Sequence, residues 1–301
     1  MADDLIEQLD SIPPATRSLL DEFGFDREWF LGRAARIEDA GTEDNIVTGT
    51  VTPPEPGDVI DLPPGGSAEH ENLTSAGIEL LSEGRCALVV LAGGMATRMG
   101  GVVKALVEAL PGRTFLDIRL AAHRNLEERA GRRIPLWLMT SHATDAATRQ
   151  ALGDLVDGYN IATFPQMVSL RLNPDGSLFV DDTGEPSLHA PGHGDLPDAL
   201  RRSGLLAEFR AAGGMVVTTA NLDNLGATPD PALIGLHHSS GAQVTCEVVE
   251  KVGSDRGGIP ARLDDRPLIL EEFRIPPTFD PTQVGVFNTN TFHFDARALD
   301  E

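Results

Sequence analysis

The segment ALVVLAGGMATRMGGVVKAL, Ala87 to Leu106, carries an apolar run into a glycine pair and then two cations. After Ala92, Gly93 and Gly94 allow a sharp turn and let a ligand approach the backbone with no Cβ in the way. Thr97, Arg98 and Lys104 follow, so exposed N–H groups and positive charge gather at one strand end. That combination suits a polyanion such as a nucleotide phosphate chain. It also describes an ordinary strand–turn–helix with two surface cations. Asp223 follows a second apolar run, GMVVTTA, and is flanked by Asn221 and Asn224. A carboxylate there can hold Mg²⁺, which takes one or two carboxylates plus phosphate oxygens, or it can cap an Asx-rich turn. PGHGD, Pro191 to Asp195, offers Gly192 and Gly194 for backbone approach, His193 as a donor to a phosphate or a sugar, and an acid, Asp195; it also reads as a turn with an exposed histidine. In GVFNTNTFHFD, Asn288 and Asn290 alternate with threonines inside a β-like run, which puts both amides on one face. Amides both donate to and accept from sugar hydroxyls. Glu271, at the end of the apolar run RPLIL, is a further hydroxyl acceptor.

Composition narrows the partners. Lys plus Arg number 24 and Asp plus Glu 46, a net charge of −22. Such a surface repels nucleic acid and anionic membranes. A phosphate ligand must then be met by local cations, which singles out Arg98, Lys104 and Lys251. Cys86 and Cys246, the only cysteines, sit in apolar segments and read as buried free thiols rather than a disulfide or a zinc site. His237 and His238, in the helix-like DPALIGLHHSSG, read as packing or surface residues. The acidic start MADDLIEQLD lacks the basic, then apolar, pattern of a secretory signal, and no apolar run approaches the roughly 20 residues of a membrane span. The chain reads as cytoplasmic.

The elements that must position these residues follow from periodicity. Residues 1 to about 45 carry apolar positions at helical spacing, broken at Ile12 to Pro14. VTGTVTPPEPGDVIDLPPGGS then reads as an extended connector. From about residue 76, CALVVLA, IPLWLMT, GMVVTTAN and AQVTCEVV read as strands, with helical segments such as TFLDIRLAAHRNLEERAG between them. Alternation of this kind predicts a three-layer α/β fold with a largely parallel sheet, its ligand site outside the C-terminal strand ends. The expected division is a helical segment and connector over 1–75 and a catalytic domain over 76–301.

LAGGMATRMGGVVKAL, FPQ, APGHGD, ANLDNLGA, EVVEKVGSDRGG, LILEEFRIP and FNTNTF, in that order, resemble the UTP–glucose-1-phosphate uridylyltransferase (UDP-glucose pyrophosphorylase) family. The resemblance implies an α/β/α nucleotidyltransferase fold with a mixed sheet. It also implies UTP and glucose 1-phosphate as substrates, UDP-glucose and pyrophosphate as products, and Mg²⁺. By position, Ala92, Gly93, Gly94, Gln166 and Gly192 would hold the uridine, and Arg98 and Lys104 the phosphates. His193 would lie against the sugar phosphate, Asn221, Glu271, Asn288 and Asn290 on the sugar, and Asp223 on the metal. The family also has a later lysine-bearing segment, so the resemblance implies a chain that stops short. The glycine loop is similar to that of UDP-N-acetylhexosamine pyrophosphorylases as well. A non-catalytic nucleotide-sugar-binding protein is the other class consistent with these segments.

Overall fold

The computed structural model of the chain describes residues 2–37, 45–96, 101–253 and 255–300. Three helices open it: α1 (Ala2–Asp10), α2 (Pro14–Glu22) and α3 (Arg27–Ala34). Leu5, Leu9, Ile12, Leu20 and Phe30 bury one face of this group against Val168, Leu170 and Leu178. The Pro/Gly-rich connector is extended, as its composition predicts, but it contributes a short strand, β1 (Val51–Thr52). Asp58 anchors it through a two-pronged contact with Arg262, at 2.6 and 2.8 Å.

Besides three short two-stranded pairs, the strands that follow are β2 (Cys86–Leu91), β3 (Leu136–Thr140), β4 (Ile161–Pro165), β5 (Val216–Asn221), β6 (Val244–Glu250), β7 (Ile259–Leu263), β8 (Arg266–Leu270) and β9 (Val286–Asp295). Six form the main sheet in the order β6–β9–β5–β2–β3–β4. β5, β2, β3 and β4 run parallel, while β9 is antiparallel to both its neighbours, so the sheet is mixed. β1, β7 and β8 make a separate three-stranded sheet.

The parallel strands are mostly apolar, with buried threonines in β3, β4 and β5, because both faces are covered. Ala87, Val89, Trp137 and Met139 pack on one side with Leu200, Leu206 and Phe209, from helices α7 (Leu196–Arg202) and α8 (Leu205–Ala211). Leu88, Val90, Leu136 and Leu138 pack on the other with Leu116 and Leu120 of α5 (Phe115–Ala130) and Leu152 of α6 (Asp145–Leu152). This is the three-layer arrangement expected. α5 starts with a reciprocal Thr114–Asp117 capping box and stops at Gly131, whose φ of 66° suits glycine.

Behind the sheet, α4 (Ala68–Ser82) and α9 (Pro231–Ser240) cross with their backbones in contact. A Cβ on Gly77 would sit 1.8 Å from the Pro231 carbonyl oxygen, and one on Gly235 2.0 Å from that of Leu73. Glycine is required at both.

Candidate active site

β2 and β5 pair in parallel with Asn221 opposite Leu91, so the Gly93–Gly94 turn and the loop after Asn221 emerge side by side. The turn is fixed from beneath. The Thr144 hydroxyl donates to the Ala92 carbonyl at 3.1 Å and the Ser141 hydroxyl to that of Gly93 at 3.0 Å. A Cβ on Gly93 would lie 2.1 Å from Gln166 Nε2, so any larger residue there displaces that amide. Phe164 and Pro165 prove to be the last residues of β4 rather than a loop, and Gln166 follows them, buried. Its side-chain carbonyl accepts from the Gly192 N–H at 2.9 Å, and Gly192 holds a φ of 93°. Gln166 therefore joins the glycine turn to the PGHGD loop, with its amide N–H₂ left as the end that faces Gly93.

Lys104 and Asp223 form an ion pair, both side chains partly exposed. Thus the cation from the glycine segment and the carboxylate after β5 share one spot. Arg98 lies outside the described residues. Lys251 goes elsewhere: its ammonium donates to the Pro281 carbonyl at 3.4 Å.

Asn290 joins three segments. Its Nδ2 donates to Asn221 Oδ1 at 2.8 Å and to His193 Nδ1 at 3.2 Å. With Nδ1 accepting, the ring proton of a neutral His193 sits on Nε2. Burial holds the His193 pKa below its usual value, although Glu271 and Asp223 pull the other way. His193 is thus a neutral donor at pH 7.

The strict alternation expected for Asn288 and Asn290 does not hold. Asn290 has φ 60°, and between the pairs Cys246↔Phe292 and Val248↔Asn288 the register of β9 slips against β6. Between these pairs one residue of β6, Glu247, faces three of β9, 289–291, and the surplus swings Asn290 over Asn221 and His193. Non-glycine residues in this left-handed region are uncommon, and asparagine is enriched among them. Asn288 Oδ1 accepts from the Asn290 N–H at 2.6 Å and from the Cys246 thiol at 3.0 Å. Burial, with Glu247 and Glu271 nearby, pushes that thiol up to about 12, so it remains a donor. Cys246 is half-buried, less than its apolar segment predicts, whereas Cys86 is fully buried. Glu271 extends from the end of β8 over Gly258, where a Cβ would meet its Oε1 at 2.9 Å. A cavity of about 470 Å³ opens beside it, lined by Arg256, Gly257, Glu271, Glu272 and Phe273.

Lys251 apart, the structure brings the described candidates together: the Ala92–Gly94 turn, Lys104, Gln166, Gly192, His193, Asn221, Asp223, Glu271, Asn288 and Asn290. Asp195 of PGHGD is instead structural. It is buried, accepting from the Met167 N–H at 2.6 Å and from Arg202 at 2.9 Å. His237 is buried with its Nδ1 2.8 Å from the Thr245 hydroxyl, and His238 is exposed, as their helical setting predicts. Ser141, Thr144 and Cys246 were not marked by any motif.

Among the described residues no three His, Cys, Asp or Glu side chains cluster as a closed metal cage. The donor set around Asp223 is one carboxylate beside a cation-lined opening. That fits Mg²⁺, which keeps waters and takes its other ligands from substrate phosphates.

The family model described as UTP–glucose-1-phosphate uridylyltransferase matches residues 30–301. The chain belongs to that family. A UTP–glucose-1-phosphate uridylyltransferase of Pyrus pyrifolia is 31% identical over 70% of this chain and 48% of its own length. A probable enzyme of the same name from Schizosaccharomyces pombe is 29% identical over 79% of this chain and 49% of its own length. The chain spans about half the length of the curated relatives it matches. Among solved structures, a UDP-N-acetylglucosamine pyrophosphorylase of Trypanosoma brucei superposes with a TM-score of 0.79 at 22% identity, over 99% of this chain and 65% of that one. A UDP-glucose phosphorylase of the same organism gives a TM-score of 0.73 at 23% identity, over 99% and 62%. These similarities establish the nucleotidyltransferase fold.

Proposed function

We propose that this chain carries the nucleotide and sugar site of a UTP–glucose-1-phosphate uridylyltransferase, which forms UDP-glucose and pyrophosphate from UTP and glucose 1-phosphate. One observation carries the reading: the Lys104–Asp223 pair and the Asn221–Asn290–His193 bridge meet at the ends of β2 and β5. Positive charge and a carboxylate for a metal are thus beside neutral donors and acceptors suited to a sugar phosphate.

In this reading the uracil lies over the Ala92–Gly94 backbone. Gln166, its carbonyl committed to Gly192, donates from Nε2 to a base carbonyl. Cytosine and purines present a different pattern of donors and acceptors to the same groups. An oxygen of the sugar 1-phosphate attacks the α-phosphorus of UTP, and the bond to the pyrophosphate leaving group breaks. Such transfers depend on positioning and charge neutralisation rather than on covalent catalysis. Lys104 releases Asp223 to meet phosphate oxygens, and Arg98 adds a second cation. His193 donates from Nε2 to the sugar phosphate, while Asn221, Glu271, Asn288 and Asn290 hold the sugar hydroxyls. Asp223 would hold Mg²⁺, which supplies neutralisation of the charge on the transferring phosphates. A net charge of −22 supports small-molecule partners rather than nucleic acid, and no helix among the described residues is long and apolar enough to cross a membrane. The cytoplasmic setting belongs to this proposal.

Pyrophosphate release from UTP with a panel of sugar 1-phosphates tests it. Release that is specific for UTP and greatest with glucose 1-phosphate is expected. Equal use of ATP or CTP contradicts the uridine assignment. Preference for N-acetylglucosamine 1-phosphate moves the substrate to the amino sugar. Tight UDP-glucose binding without any release identifies a nucleotide-sugar-binding protein.

A further inference from the structure

One buried charge is used by none of the steps above. Arg119, on α5, is 2% exposed and forms no ion pair with any of the described residues. Its Nη1 donates to the Ala227 carbonyl at 2.6 Å. Its Nη2 donates to the carbonyls of Asn221 at 2.9 Å and Asn224 at 2.7 Å, with that of Leu222 at 3.5 Å. Every one of these acceptors belongs to the loop after β5 that presents Asn221 and Asp223.

Outside Arg119 the loop is tied at its first three residues: Asn221 Oδ1 accepts from Asn290, the Leu222 N–H donates to the Leu91 carbonyl at 3.3 Å, and Asp223 pairs with Lys104. Its own backbone bonds are short-range: Asn224 N–H to Asn221, Leu225 N–H to Asp223, and Ala227 N–H to Asn224. Its buried apolar residues are Leu222, under the sheet end, and the small Ala227. A guanidinium offers five donors in a rigid plane and stays charged when buried. A lysine ammonium is a point charge with three donors on a flexible stem, and it cannot reproduce a fork that reaches carbonyls at both ends of a seven-residue loop. Among the described residues the Nε of Arg119 meets no hydrogen-bond partner, so the side chain is held by its two terminal nitrogens, both spent on the loop. The guanidinium also lies close enough to Asp223 to interact with its charge. Asp223 therefore has Lys104 in direct contact and Arg119 beneath its loop.

We infer that Arg119 is a positioning residue, whose guanidinium clamps the Asn221–Ala227 loop so that Asn221 and Asp223 meet nucleotide-sugar and metal in one fixed geometry. It touches neither ligand. Its effect passes through the backbone of the loop, and the functional half of the inference rests on the site proposed above.

The test uses Arg119→Lys beside His123→Asn. His123 is a buried polar residue of the same helix, whose Nε2 lies 2.9 Å from the Ile134 carbonyl rather than near the loop. It controls for loss of stability in α5 without loss of the clamp. Amide hydrogen exchange is followed at Asn224, Leu225 and Ala227, and UDP-glucose affinity is measured by calorimetry. In Arg119→Lys the loop amides are expected to exchange at least about tenfold faster while β2 and β3 keep wild-type rates. UDP-glucose should bind at least about tenfold more weakly. His123→Asn should leave loop exchange, relative to the rest of the protein, and affinity as in wild type.

Wild-type loop exchange in Arg119→Lys overturns the clamp. A loosened loop with wild-type affinity overturns its role in binding. Equal loosening in His123→Asn reduces Arg119 to general packing and overturns the inference as well. If the wild-type protein binds no UDP-sugar, the proposed function fails on its own, and the exchange comparison still decides whether Arg119 holds the loop.

Discussion

Asn290 separates strain from ligand contact, because its backbone and its amide can be changed independently. Its φ of 60° costs an ordinary L residue roughly 1–2 kcal/mol, less for asparagine and nothing for glycine. Its amide makes hydrogen bonds to Asn221 at 2.8 Å and His193 at 3.2 Å. Each is worth about 0.5–1.5 kcal/mol net, at the lower end on an open rim. Asn290→Gly loses both bonds and relieves the strain, so its stability should stay within about 1 kcal/mol of wild type. Asn290→Ala loses the same bonds and keeps the full strain, so it should unfold at least about 1 kcal/mol more easily than the glycine variant. Both should lose UDP-glucose affinity by the same factor, at least about tenfold, since neither retains the amide. Urea unfolding and calorimetry on the three proteins read the two effects separately. Equal stability of the alanine and glycine variants would show that position 290 is not held in a left-handed conformation. Wild-type affinity in either would remove the Asn221–Asn290–His193 bridge from the site.

Gly77→Ala should lower stability by about 1–3 kcal/mol or more, because its Cβ meets a backbone carbonyl at 1.8 Å and neither helix can yield. Gly32→Ala in α3 has nothing within 4 Å and should instead gain up to about 1 kcal/mol of helix propensity; matching signs for the two would refute the α4–α9 contact. His237 is held to about 4 by burial, with His293 and His238 lowering it further and Asp295 opposing. A histidine depressed from 6.5 stabilises the fold fully above that pH and loses the contribution as pH falls toward about 4, on the order of 3 kcal/mol in all. His237→Asn should flatten the unfolding free energy between those pH values, and an unchanged slope would mean that other groups carry it. Asp223→Asn should abolish Mg²⁺-dependent pyrophosphate release with under about 1 kcal/mol of lost stability, since its partner Lys104 is also partly exposed. Full activity in that variant returns Asp223 to a turn-forming role.

Much of this site is legible in the sequence because strands alternate with helices, which sends every glycine- and amide-bearing loop to the same end of the sheet. Gly93, Asn221 and His193 follow from that logic, whereas Gln166 is legible only through the family resemblance. The backbone of Asn290 was not, since a period of two assumes a regular strand and a register slip leaves no mark of its own in NTNT. Arg119 left a weak signal: it falls three residues after Leu116 and four before His123, on the face of α5 that buries Leu116, Leu120 and His123. A charge on an apolar helical stripe asks what it bonds to, but only the fold reveals that the partner is a loop about a hundred residues later. Gly77 and Gly235 were silent for a similar reason, because a helical glycine has meaning only once its neighbour is known. Asp195 misled by company: a carboxylate beside His193 reads as chemistry until Arg202 and the Met167 N–H are seen to occupy it.

The most direct test of the site is a calorimetric titration of the protein with UDP-glucose, set against ADP-glucose under the same conditions. The geometry of Gln166, Gly93 and the Asn221–Asn290–His193 bridge predicts saturable one-to-one binding of UDP-glucose, weakened at least about tenfold by Asn290→Ala, with ADP-glucose failing to compete. No saturable heat with UDP-glucose, or equal binding of ADP-glucose, contradicts the assignment of these strand ends to a uridine nucleotide-sugar.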